Sequence, residues 1–235
     1  MTLPLPYWCS ADGRHTIYHA DCRDVLTGLL PGSVDAVVTD PPYGIGKRLV
    51  SGGAGHSFDS LVLSGADQWD IKPPRELFDL LLGCSDAQII WGGNFFDLPP
   101  CQCPLCWDKD RPNQKNVSEW EYAWTSLIGR ARLFKYCANG GFVAKETREH
   151  PTQKPVAVMK WCLQLLPDAR TILDPFLGSG TTSVACVQTG RRSIGIEQNE
   201  RYCEIAVQRL ERTLAQPTLF VQERITDAQE SLALL

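Results

Sequence analysis

Two acidic-headed segments hold most of the chemistry this chain could perform. The first is Thr39-Asp40-Pro41-Pro42-Tyr43-Gly44, directly after the apolar run VDAVV. Asp40 offers a carboxylate acceptor. Two prolines in succession fix the backbone and remove two N–H donors, so the Pro41 carbonyl can point outward as a second acceptor. Tyr43 adds an aromatic face with a polar tip. Two acceptors beside a stacking ring suit a planar group that bears an NH2. The second segment is Asp174-Pro175-Phe176-Leu177-Gly178-Ser179-Gly180-Thr181-Thr182, after the apolar run TIL. Its glycines let a ligand approach the backbone and a helix N-terminus. Glu197 closes the next apolar run, where an acidic residue can bind both hydroxyls of a ribose. Asp, Gly-x-Gly and then Glu at the following strand end point to an adenosine-type ligand. No Gly-Lys-Ser/Thr follows, so this is not a phosphate loop, and the third glycine of a dinucleotide fingerprint is missing. A third segment, His150-Pro151-Thr152-Gln153-Lys154-Pro155, lies just upstream. Pro155 suits the first position of a helix, which leaves the residues before it as a polar loop.

These segments need a scaffold that brings strand ends together. The sequence pattern predicts strands over 15–20, 34–39, 87–91, 104–107, 121–125, 171–174 and 192–197. Helices are predicted over 22–30, 75–83, 155–166, 180–189 and 199–214, the last capped by Asn199. Several strands are apolar on both faces, as when helices cover a sheet on both sides. The expectation is an α/β fold with a doubly wound, mostly parallel sheet. One domain is expected over 1–214, with a tail over 215–235. Irregular insertions are expected over 44–72 and 127–149, and long irregular loops in compact domains are usually functional.

Composition sets outer bounds. The chain has 235 residues, 43% hydrophobic and 21% charged, as in ordinary globular proteins. No apolar run reaches the roughly 20 residues of a membrane span, and the N-terminus lacks a secretory pattern, so a cytoplasmic location without membrane partners is expected. Ten cysteines are scattered along the chain and read as reduced, small apolar residues. Only Cys101, Cys103 and Cys106 cluster, and without a second pair no structural zinc is expected. A net charge of −4 argues against non-specific coating of nucleic acid. It leaves room for a local basic face, for which Lys47, Arg48, Arg130, Arg132 and Lys135 are the candidates.

Taken together and in this order, DPPY, HPTQKP and DPFLGSGTT resemble the amino-group DNA methyltransferases of the permuted β class. His19-Ala20-Asp21 is similar to the acidic position that meets the cofactor's adenine in that class, and Trp91-Gly92-Gly93-Asn94-Phe95-Phe96, Trp107-Asp108-Lys109 and the stretch from Glu119 to Trp124 resemble its compact, phage-type members. The resemblance spans roughly residues 15–210. It implies a circularly permuted S-adenosylmethionine-dependent methyltransferase fold, with DNA and S-adenosylmethionine as partners and a homodimer as a candidate assembly. It implies that Asp40 and the Pro41 carbonyl accept from the amino group of a flipped base, with Pro42 shaping the turn and Tyr43 stacking on the base. On the cofactor side it implies Asp174, Phe176, Gly178 and Gly180 around the methionine. Thr181 or Thr182 would meet its carboxylate, Thr152 or Lys154 would close over it, Glu197 would hold the ribose and Asp21 the adenine. An Asp before the PPY leans the target toward adenine N6, with cytosine N4 as the alternative. Little room remains between Trp124 and His150 for a separate target-recognition domain. More distant alternatives are an RNA or protein amide methyltransferase, a dinucleotide dehydrogenase and a catalytically silent DNA-binding module.

Overall fold

A computed structural model describes residues 3–30, 32–45, 70–110, 118–137 and 153–216. Lys47, Arg48 and Thr152 lie outside these residues, as does most of the expected 44–72 insertion. The elements are β1 (Trp8–Cys9), β2 (His15–His19), α1 (Cys22–Leu26), β3 (Ala36–Thr39), α2 (Arg75–Leu82), β4 (Ala87–Trp91), a short 3-10 turn (Gly93–Phe95), β5 (Leu105–Asp108), β6 (Trp120–Thr125), β7 (Arg132–Lys135), α3 (Val156–Gln164), β8 (Thr171–Asp174), α4 (Thr181–Gln188), β9 (Arg192–Glu197) and α5 (Glu200–Leu214).

The strands form one sheet in the order β1-β2-β9-β8-β3-β4-β6-β5-β7. From β2 to β4 every neighbouring pair is parallel. β6 inserts antiparallel between β4 and β5, and β7 pairs parallel with β5 on the outer edge. The strands β2, β9, β8, β3, β4, β5 and β7 therefore all end on the same sheet edge, and β6 begins there. Both faces of the central strands are apolar, with the period of two that a strand imposes. Ala36, Val38, Ile89, Trp91 and Ile172 pack against α3, α4 and α5. Val37, Ile90 and Leu173 pack against α1 and α2. Each fully buried aliphatic chain contributes roughly 1.5–3 kcal/mol, enough to hold strand ends in fixed register.

Local signals explain several element ends. Asn199 caps α5, its Oδ1 accepting from Arg201 N at 3.0 Å, and the helix buries Cys203, Ala206 and Leu210 at helical spacing. Pro155 is not the first helical residue. It is the extended residue before Val156 (ψ 141°) and serves as the N-cap of α3. A larger departure from expectation is β7. The stretch expected to be irregular from 127 contains a strand at 132–135, because Arg132 to Lys135 complete the otherwise open edge of β5. Its burial is slight, so the sequence carries no apolar alternation by which to find it. Among the described residues no helix is long and apolar enough to cross a membrane.

Candidate active site

Both acidic segments leave adjacent strands at the same edge, and one hydrogen bond joins them. β3 and β8 are neighbours in the sheet. Thr39, the last residue of β3, is fully buried and donates its hydroxyl to Asp174 Oδ1 at 2.7 Å. Asp174 also accepts from Phe176 N at 3.1 Å. Burial raises its carboxyl to about 6, against the pull of the donors around it. The Asp40 turn therefore starts one residue from the Asp174 turn.

Within the Asp40 turn, Tyr43 folds back so that its hydroxyl donates to Asp40 Oδ1 at 2.6 Å. The Tyr43 ring stacks on Phe95 with centroids 4.8 Å apart and planes 15° apart. Gly92 makes this possible. It takes φ +67°, and a Cβ there would sit 2.1 Å from Tyr43 Cε1. The exit of the turn is held by Asp70, which accepts from Gly44 N at 3.0 Å and Ile45 N at 2.7 Å. Pro41 is buried and Pro42 half-buried between these anchors.

Asp40 has a second partner that the motif did not announce. Lys154 Nζ donates to Asp40 Oδ2 at 2.5 Å, to Tyr43 Oη at 3.1 Å and to Glu121 Oε2 at 3.0 Å. Lys109 in turn pairs with Glu121 Oε1 at 2.6 Å. The Lys154 ammonium lies 5.1 Å from the centre of the Trp91 ring, and the residue is only 5% exposed, so no bulk water competes for it. Thr152 or Lys154 was expected to close over the cofactor. The Lys154 ammonium sits against the Asp40 turn, where two carboxylates hold it. Burial alone would lower the Lys154 ammonium, but Asp40 and Glu121 hold it well above the usual lysine value. Burial pushes Asp40 up, Lys154 opposes this and Glu121 adds to it. Burial would also raise Glu121, but Lys154 and Lys109 bring it down to about 2.

The second turn has the form of a ligand cradle. Gly178, at φ +52°, has open space where a Cβ would lie, so a group can rest on the backbone there. Its N–H donates to Glu197 Oε2 at 2.8 Å, and Asn199 N donates to Oε1 at 2.8 Å. Glu197 is thus fixed across the mouth of the turn with lone pairs to spare, and burial raises its carboxyl. Gly180 is the N-cap of α4, while Thr181 and Thr182 open that helix and are buried. Phe176 is half-buried beside them. Arg209 of α5 buttresses the turn, donating to Ser179 O at 2.6 Å and Thr181 Oγ1 at 3.2 Å. Ser179 Oγ reaches Gln153 Oε1 at 3.1 Å, which ties the 150–155 segment to the cradle. Asp21 lies beside Glu197, since β2 and β9 pair His19 with Glu197. It caps α1 through Arg23 N at 2.9 Å and pairs with the Arg23 guanidinium at 2.5 Å. A carboxylate for the ribose, an open glycine backbone and a second carboxylate two residues past the next strand end form a donor set that fits S-adenosylmethionine.

The basic candidates do not share one place. Lys135 ends β7 on the edge where Asp40 lies, and pairs with Asp110 at 2.9 Å. Arg132 begins β7 and Arg130 precedes it, about 10 Å back along the strand at roughly 3.3 Å per residue. β7 therefore spreads these three candidates along a strand, with only Lys135 at the sheet edge that carries Asp40. Cys101 and Cys103 donate to the carbonyls of Thr125 at 3.5 Å and Arg130 at 3.1 Å. The residues missed in the sequence are Glu121, Lys109, Asp70 and Arg209. Glu121 and Lys109 fell in stretches already noted as similar to phage-type enzymes, but nothing local assigns either a partner.

The family model described as DNA methylase, for N6/N4 methyltransferases, matches residues 85–208. The chain is 51% identical to the type II methyltransferase M.ScaI of Streptomyces caespitosus, covering 88% of this chain and 84% of that protein. It is 46% identical to the type II methyltransferase M2.DpnII of Streptococcus pneumoniae, covering 83% and 89%. In fold it is similar to the cytosine-N4-specific PvuII DNA methyltransferase, with TM-score 0.52, 12% identity and coverage of 96% and 92%. With its Asp40 turn and its glycine cradle on neighbouring strand ends, the chain belongs to the N6/N4 family of DNA methyltransferases.

Proposed function

We propose that this enzyme transfers a methyl group from S-adenosylmethionine to adenine N6 in duplex DNA, at a centre formed by Asp40, Pro41, Pro42 and Tyr43. The observation that carries the reading is the Thr39–Asp174 hydrogen bond at 2.7 Å, which sets an amino-group acceptor turn beside a nucleoside cradle. The Asp at the head of the PPY supports adenine over cytosine.

When bound, the cofactor supplies an electrophilic methyl on a sulfonium, so no covalent enzyme intermediate is needed. Glu197 would hold its ribose and Asp21 its adenine. Asp174, Phe176, Gly178, Gly180, Thr181 and Thr182 would shape the methionine end, with Thr152 a further candidate for closing it. The protein's task is then positioning and electrostatics. The target base leaves the stack to reach the turn and extends the Tyr43–Phe95 pair. Asp40 and the Pro41 carbonyl accept the two N–H bonds of the amino group, which turns the nitrogen lone pair toward the methyl. Once methylated, that nitrogen must give up one proton, and Asp40 is the adjacent carboxylate. Lys135, and Lys47 and Arg48 next to the Asp40 turn in sequence, are proposed to meet phosphates.

The test is nucleoside analysis and modification mapping of DNA from cells that express the chain. N6-methyladenine at a defined sequence supports the reading. N4-methylcytosine alone overturns the base assignment and leaves the centre standing. No modified base overturns the activity.

A further inference from the structure

Each carboxylate oxygen of Asp40 already accepts one short bond before any base arrives. Its Oδ1 is taken by the Tyr43 hydroxyl at 2.6 Å and its Oδ2 by Lys154 at 2.5 Å. A charge-assisted bond of that length is among the strongest available to a side chain. An incoming amino group is a neutral, weaker donor, and an oxygen whose charge is drawn to an ammonium at 2.5 Å is a poorer acceptor for it. The Lys154 ammonium cannot simply retreat into water, because its side chain is 4% exposed. It can go only where another anion waits. Glu121 is that anion, at 3.0 Å from the same Nζ, and is itself held by Lys109 at 2.6 Å.

We propose that Glu121 is a positioning residue for methyl transfer: it gives the Lys154 ammonium a second carboxylate, so that Lys154 yields Asp40 Oδ2 to the amino group of the target base. The proposal rests on the reading of Asp40 as the base's acceptor. Lys109 and Glu121 keep the exchange neutral overall, since the ammonium moves between two anions with its charge always compensated. The four residues come from the ends of β3 and β5, the start of β6 and the segment before α3, so the device spans residues 40 to 154 and depends on the antiparallel insertion of β6 beside β4.

A purely structural ion pair makes a different forecast, so a double-variant cycle separates the two. Turnover is measured with radiolabelled S-adenosylmethionine and duplex DNA from a methylation-deficient host, using the full chain with Glu121→Gln, Lys154→Met, both together, and Asp40→Asn. In Glu121→Gln the ammonium has Asp40 alone and competes with the base, so kcat falls by about tenfold or more while the KM for the cofactor stays within about twofold. In Lys154→Met the Asp40 and Glu121 carboxylates lose the cation between them, and Lys109 remains only on Oε1 of Glu121. Asp40 then keeps its proton to higher pH, so activity is low at neutral pH and recovers as pH rises. The double variant removes competitor and anion together, and its turnover at neutral pH exceeds that of Lys154→Met by about tenfold. The groups facing Lys154 and Asp40 are Tyr43, Glu121 and Cys162, with Lys109 behind Glu121 and Asp174 across Thr39. If Lys154→Met does not fold, the pH profile of Glu121→Gln decides. With Lys154 held on Asp40 and Glu121's charge gone, the acid limb moves to lower pH as the plateau drops, and an unmoved limb overturns the proposal. Additive losses in the cycle, or wild-type turnover in Glu121→Gln, also overturn it. Full turnover in Asp40→Asn removes the base-acceptor reading beneath it. An inactive Asp40→Asn with an additive cycle removes the Glu121 proposal alone.

Discussion

Gly92→Ala tests how tightly the Asp40 turn is held. Gly92 sits at φ +67°, and a Cβ there would lie 2.1, 2.5 and 2.6 Å from three atoms of the Tyr43 ring. The left-handed backbone costs a non-glycine residue about 1–2 kcal/mol, and an overpacked methyl costs about 1–3 kcal/mol more. The sum is about 2–5 kcal/mol, which at roughly 2–4 °C per kcal/mol for a chain this size lowers Tm by about 4–20 °C. Relief requires Tyr43 to move by an ångström or more, since Gly92 N is bonded to Tyr122 O at 2.8 Å and Phe95 N to Gly92 O at 2.8 Å. Moving Tyr43 breaks its stack on Phe95 and its 2.6 Å bond to Asp40. Misplacement of that order costs about 10²-fold in turnover. Gly13→Ala is the control, with φ +67° as well but nothing within 4 Å of its Cβ. It shares the backbone cost and leaves catalysis intact. The assay is methyl incorporation into DNA, with calorimetric binding of S-adenosylmethionine as the check that the cradle persists. If Gly92→Ala turns over within about twofold of wild type while folded, Tyr43 is not held where the chemistry needs it and the reasoning fails.

Four further outcomes follow from the same geometry. Asp40→Ala lowers methyl transfer by about 10²–10³-fold or more and leaves cofactor affinity nearly intact; unchanged turnover would move the centre elsewhere. Glu197→Ala removes the acceptor for Gly178 N and Asn199 N and weakens S-adenosylmethionine binding by about 10–100-fold in calorimetry, at about 1.5–3 kcal/mol for charged hydrogen bonds; NAD should not bind either protein. Asp174 rises from 3.8 to about 6 in the fold, so its contribution to stability is complete below the lower value and is lost as pH rises through the higher one. Denaturant titrations should therefore show a fall in stability across that window of up to about 3 kcal/mol, and Asp174→Asn should flatten it. Lys135→Ala should reduce the salt dependence of DNA binding by about one unit of slope, whereas Arg130→Ala and Arg132→Ala should not; the reverse pattern would place the DNA across the other end of β7.

Contiguous motifs were legible in the sequence because their geometry is local. A strand followed by Asp-Pro-Pro-Tyr turns where the prolines force it, and Gly-x-Gly before a helix leaves a backbone open whatever surrounds it. Continuous apolar runs were sufficient to place the central strands and, being apolar on both faces, to infer helices on both sides of the sheet. Only the tertiary structure decided what those motifs touch. The family resemblance implied Thr152 or Lys154 closing over the cofactor, and nothing in the motif announced that Asp40, 114 residues away, offers Lys154 a buried anion, to which a charge shielded from water goes. Glu121 lay in a stretch similar to phage-type enzymes, but nothing local gave it a partner, since its pairing with Lys154 depends on β6 entering the sheet antiparallel at the edge that carries Asp40. β7 escaped for the opposite reason. It is an exposed edge strand held by backbone pairing with β5, and backbone hydrogen bonds leave no mark on side-chain type. That pairing, and not the charge of Arg130, Arg132 and Lys135, determines which of them stands at the sheet edge that carries Asp40.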